Sequence, residues 1–248
     1  MTASDREPVK PEARNLNFGT RLHPLWIAAL VTLVVTALSY MVPDEYVATA
    51  VAVAFIFAVW VLVLRYDTET IRHFGLSLGG LLEQPPGNAR RALREASSAL
   101  AWALGLIAII VPPFVLGFQL YRHTPATFHF VPPASIADEI FGQALVIALP
   151  EEAFYRGYLM TVLDDLWGTP WTIAKANLGW GWIVSSALFA IGHALTITNV
   201  ERLAVFFPAL VFGWLRARTR GIGAPALFHV FCNVLASTLE RGYGIGAG

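Results

Sequence analysis

Charge is scarce in this sequence. Asp, Glu, Lys and Arg make up 14% of 248 residues and 56% are hydrophobic, whereas a soluble domain is about a quarter charged. That balance excludes an ordinary soluble domain and puts the chain in the membrane class. Cysteine is rarer still. Cys232 alone excludes an intramolecular disulfide and any cysteine-rich metal site, and between His229 and Asn233 it reads as a small buried apolar residue. Lysine is limited to Lys10 and Lys175 against 15 arginines; with abundant Ala and Gly, that skew suggests a GC-rich bacterial genome. The His-Glu-x-x-His spacing of soluble zinc proteases is missing. No serine or cysteine stands as an evident nucleophile, and there is no internal repeat, low-complexity tract or second, soluble domain. Formal net charge is zero, and nothing points to nucleic acid as a partner.

What the chain does have is long apolar runs. A helix needs roughly 20 residues to cross the hydrocarbon core. Seven segments qualify, at about 24–42, 46–64, 97–120, 135–163, 181–198, 202–216 (short for a span) and 223–240. Pro112-Pro113 predicts a kink in the third. Residues 1–23 are polar, mixed in charge and read as a disordered cytoplasmic segment. The run after them lacks a small-residue cleavage site before Pro43 and reads as a retained anchor. The expected fold is all-α, a polytopic transmembrane bundle of about seven spans. It forms a single membrane domain over 24–240 with its motif-bearing core at 135–235.

Basic residues then alternate between loops. Thirteen fall on one side, and only Arg122, Arg202 and Arg241 on the other. The positive-inside rule therefore puts the amino terminus in and the carboxyl terminus out, in the multi-pass pattern of a bacterial inner-membrane protein. Residues 74–87 read as an interfacial or loop segment on the cytoplasmic face. Trp167, Trp171, Trp180 and Trp182 read as an aromatic belt.

Few polar side chains lie deep in the spans, and each has a plain structural reading when taken alone. Glu151 and Glu152 sit in Ala-Leu-Pro-Glu-Glu-Ala-Phe-Tyr-Arg-Gly, where carboxylates are expensive. Glu152 and Arg156 are four apart and share a helix face, while Glu151 projects about 100° away. One carboxylate can thus be paired and the other free to take a proton. The whole motif would also fit a helix end whose charges snorkel into water. His193, eleven residues past Trp182, lies roughly 16 Å along a helix from it; alone it reads as a packing histidine. Phe189, four before it, reads as core packing. His229 and Asn233, four apart on one face, read alone as interhelical hydrogen-bond glue. Together these groups make a hydrolytic set. A desolvated carboxylate takes a proton from water, one histidine orients that water, and a second histidine with an amide holds an oxyanion.

The set Glu151-Glu152-x-x-x-Arg156, Phe189-x-x-x-His193 and His229-x-x-x-Asn233, in that order, resembles the CAAX-protease and bacteriocin-processing (CPBP) family. Residues 207–233, with Gly213, the 216–220 basic cluster and Pro225, resemble its carboxyl-terminal pattern. The likeness covers roughly 135–235. It implies an intramembrane endopeptidase acting on a membrane-associated protein in the lipid bilayer, with carboxyl-terminal processing or sorting-signal removal as its role. Carried over, Glu151 activates water with His193, His229 and Asn233 bind the oxyanion, and Glu152 and Arg156 support the site. The resemblance favours no cofactor; the alternative is zinc on Glu151, His193 and His229. Two rival functions stand beside it: a non-catalytic scaffold or bacteriocin-immunity protein of the same fold, and a proton-coupled transporter. The transporter is disfavoured by the absence of a repeat.

Overall fold

The computed structural model describes residues 23–124 and 127–245; the expected disordered segment lies, but for His23, outside them. Eight helices order the described residues. α1 is Pro24–Met41. α2 is Asp44–Val59 and continues through one π-helical turn, Trp60–Leu64. Short α3, Thr68–His73, leads into the connection to α4, Ala89–Arg122. α5 occupies residues 136–167 as one continuous helix with π-helical stretches at Gly142–Ala148 and Ala153–Leu159. α6 is Trp180–Ile197, α7 is Phe206–Thr219 and α8 is Gly223–Gly242.

Local chemistry sets the boundaries. Side chains of Asp67, Asn88 and Ser135 cap α3, α4 and α5 by accepting the backbone N–H three residues on, which satisfies donors the first turn leaves free. Asp44 and Glu45 place negative charge at the start of α2, where the helix dipole favours it. α6 and α7 stop where Thr198 and Arg220 turn left-handed.

Among the described residues four helices are long and apolar enough to cross a membrane: Pro24–Met41, Asp44–Leu64, Ala89–Arg122 and Trp180–Ile197. The surface agrees with a membrane protein. Trp26, Leu33, Phe57, Trp60, Ile109 and Leu116 face outward, while Phe55, Phe154, Tyr155, Phe189, Phe212 and Phe228 form the core.

Several expectations need correction. The helix of the expected third span, α4, begins at Ala89, two turns earlier than expected, and carries Pro112 and Pro113 inside it. The expected sixth span divides into a 3-10 helix, Val200–Val205, and α7. A two-stranded hairpin, Trp171–Ile173 with Ala176–Leu178, interrupts an otherwise helical chain. Ala174 and Lys175 both take positive φ at its turn, the geometry that two-residue hairpins prefer. The tryptophans sit around this hairpin, Trp171 edge-on to Trp180 at 5.3 Å.

Close packing places α7 on α6. A Cβ at Gly213 would stand 2.5 Å from Trp182 Cδ1, and Trp182 Nε1 donates to the Leu210 carbonyl at 2.8 Å. Only hydrogen at residue 213 permits that approach.

Candidate active site

Glu151, Glu152 and Arg156 sit near the middle of the 32 residues of α5, far from both of its ends. Glu152 and Arg156 are fully buried. Arg156 donates to Glu152 Oε1 at 3.0 Å and to the Ala209 carbonyl at 3.2 Å. Its guanidinium lies 4.2 Å from the Phe189 ring centroid and 5.2 Å from that of Phe212. Cation–π attraction is strongest where such a group is desolvated.

The same Glu152 oxygen accepts from His229 Nδ1 at 3.0 Å. One carboxylate thus joins Arg156 to His229 and fixes the imidazole, which stacks on Phe212 at 4.7 Å. The other ring nitrogen of His229, Nε2, is 3.8 Å from Glu151 Oε2.

His193 approaches from α6. Its Nδ1 is 3.0 Å from the Phe189 carbonyl oxygen, which can only accept, so Nδ1 carries the proton. That leaves Nε2 facing Glu151, 3.9 Å from Oε2. Phe189 packs on His193 with ring centroids 4.3 Å apart. The residue expected only to fill the core therefore backs His193, His229 and Arg156 at once.

Glu151 is the polar centre of the cluster. Its side chain is 12% exposed, and Oε2 is buried with no hydrogen-bond partner among the described residues. The 100° offset between adjacent helical residues separates the two glutamates: Glu152 faces Arg156 and His229 Nδ1, Glu151 faces both Nε2 atoms.

Asn233 is one turn beyond His229 on α8. It donates to Gln143 Oε1 at 2.8 Å. Neither Gln143 nor Phe212 is among the residues the sequence singles out. Gln143 did leave a signal, as a polar side chain in an apolar stretch two turns before Glu151. Phe212 left none.

Glu151 stands further from His193 and His229 in this arrangement than the donors of a tetrahedral zinc set stand from one another. Tetrahedral donors at about 2.0–2.1 Å from the metal stand roughly 3.3 Å apart, and both Oε2–Nε2 separations exceed that. Among the described residues no group of three or more His, Cys, Asp or Glu is arranged to hold a metal ion.

No curated protein and no solved structure gives a significant match to the chain. Residues 133–235, which contain every side chain of this cluster, do match the family model of the type II CAAX prenyl endopeptidases, Rce1-like. Over that segment the chain is similar to the CAAX-type endopeptidase family that its three motifs resemble.

Proposed function

We propose that this protein hydrolyses a peptide bond of a membrane-associated protein with a water activated by Glu151. The observation that carries the reading is the unpartnered, buried Glu151 Oε2, with the Nε2 atoms of His193 and His229 at 3.9 and 3.8 Å. Those separations are too long for hydrogen bonds and suit one water held between the groups.

The residues then divide the work. Glu151 Oε2 and His193 Nε2, both acceptors, hold the two hydrogens of the water and leave an oxygen lone pair for the substrate carbonyl carbon. As the C–O bond forms, Glu151 takes the proton. The developing oxyanion is held by donors on α8, His229 Nε2 and the Asn233 amide. To donate through both nitrogens His229 carries a second proton, and its charge with that of Arg156 balances the two glutamates. Collapse breaks the C–N bond, and Glu151 returns the proton to the leaving amine. Glu152 and Arg156 touch no substrate atom; they hold His229. No step runs through a metal.

Carboxyl-terminal processing or sorting-signal removal in a bacterial inner membrane is the role the resemblance favours. The test compares the termini of membrane proteins in cells carrying wild-type protein and cells carrying Glu151→Gln at equal abundance. A small set left uncut in the mutant is the expected result. A folded, fully active Glu151→Gln protein would overturn the mechanism. No difference between the proteomes, with the cell's phenotype intact, would favour a scaffold or immunity role.

A further inference from the structure

We propose that Gln143 is a positioning residue of this site, fixing the Asn233 carboxamide so that one amide hydrogen is held and the other is left for the substrate oxyanion. This rests on the hydrolytic reading of Glu151 given above. His229, Asn233, Ser237 and Arg241 stand at four-residue steps on α8, so they form one polar stripe on its face. α5 answers each step. Glu152 accepts from His229 at 3.0 Å, Gln143 from Asn233 at 2.8 Å, and Glu139 Oε1 from Ser237 at 2.8 Å and Arg241 at 3.0 Å.

Gln143 is the middle rung. The rungs on either side are anchored by charge, so α5 cannot slide along α8 without breaking both. The terminal torsion of an asparagine is broad, and in an apolar span its amide turns toward whatever polar partner is present. Here that partner is the Gln143 oxygen, which can only accept and so selects the orientation.

The π-helical stretch Gly142–Ala148 is what puts Gln143 on this face. Residues 143 and 151 are eight apart, and an unbroken α-helix at 3.6 residues per turn would rotate them about 80° from one another. Turns closed by i→i+5 bonds take an extra residue each and unwind that offset. Gln143 and Glu151 can therefore both address α8. A helix irregularity of this kind costs regular hydrogen bonding, and the register it gives the amide is a reason for its presence.

Kinetics on the purified protein that accumulates uncut in Glu151→Gln cells will test the proposal. Gln143→Met keeps the volume and removes the acceptor. It is expected to lower kcat about 10- to 100-fold, as misplacing an oxyanion donor does, with KM little changed. Asn233→Ala and the double variant complete a cycle. If Gln143 acts through Asn233, the double variant is no slower than Asn233→Ala alone. A wild-type kcat for Gln143→Met, or losses that multiply in the double variant, overturns the proposal while leaving the role of Glu151 intact. If Glu151→Gln cleaves as wild type does, the hydrolytic reading falls and this proposal with it. Should Gln143→Met fail to accumulate, Gln143→Leu removes the acceptor in its place and carries the same expected loss in kcat. A Gln143→Leu enzyme with wild-type kcat contradicts the proposal equally.

Discussion

Arg156 ties together several parts of the candidate site. Its guanidinium is buried against Phe189 and Phe212, and it shares Glu152 with His229. Removing one partner of a buried ion pair leaves the other charge uncompensated, which costs about 3–5 kcal/mol. Arg156→Gln is therefore expected to unfold in detergent at a markedly lower temperature and to lose cleavage, because Glu152 no longer fixes His229. Arg156→Lys keeps the charge but not the planar fork between two rings, and should fall between. An Arg156→Gln protein with wild-type thermal stability would refute this account. The pair itself was legible in the sequence, since acid and base four apart on a helix must meet. The partner of His229 was not, because 77 residues separate it from Glu152 and only folding brings them together. His193 is similar: its motif spacing to Phe189 was visible, but the hydrogen bond to the Phe189 carbonyl that sets its tautomer was not.

Among the elements, apolar helices announce themselves by length, and places where polar chemistry overrides hydropathy do not. The connection at 74–87 read as an interfacial or loop segment, and the chain there folds around buried Glu83. That carboxylate accepts from Arg72 Nε at 2.9 Å, from Ser77 Oγ at 2.5 Å and from Arg91 Nη1 at 3.0 Å. Glu95 draws Arg91 from its other side. The split of the expected sixth span was equally hidden, since the apolar run through 200–216 does not distinguish a 3-10 turn from an α-turn. The hydrogen bond from Arg72, with those from Ser77 and Arg91, lowers the Glu83 carboxyl from 4.5 to about 2 against the opposing cost of burial. A folded value below the unfolded one means the stabilisation is present above the unfolded value and is lost as pH falls toward the folded one. Hydrogen-exchange protection at 76–88, relative to an unstructured chain at the same pH, should be high at pH 6 and fall between about pH 4.5 and 2. Glu83→Gln should exchange fast already at neutral pH. Protection unchanged across that range, or in the variant, would show that this cluster does not hold the loop.

Over the whole molecule the contacts sort the chain into two ends. One end joins the α2–α4 connection, the hairpin and the α7–α8 turn: Arg216 donates to the His73 carbonyl at 3.1 Å, Ile222 N to the Gly75 carbonyl at 3.0 Å, and Trp214 Nε1 to the Ile173 carbonyl at 3.0 Å. The other joins the close of α1 to that of α6 through Tyr40 and the Leu195 carbonyl, and the close of α4 to Glu201 through Arg122. It also ties the Val131 carbonyl to Arg241 on α8. Arg65, Arg72, Arg90, Arg91, Arg94, Lys175, Arg216, Arg218 and Arg220 belong to the first end by their place in the chain. Arg122, Arg202 and Arg241 belong to the second. Such an imbalance orients a membrane protein with its basic end in the cytoplasm, so the turn at Ala174–Lys175 is expected inside and the end of α8 outside. A reporter inserted at that turn should give a cytoplasmic signal, and one fused after Gly248 a non-cytoplasmic signal. The opposite pair of signals would invert the bundle. The polar stripe of Asn233, Ser237 and Arg241 would then run from the Glu151 cluster toward the cytoplasm. Two signals on the same side would mean that one of the helices following the hairpin does not cross, with short α7 the first to suspect.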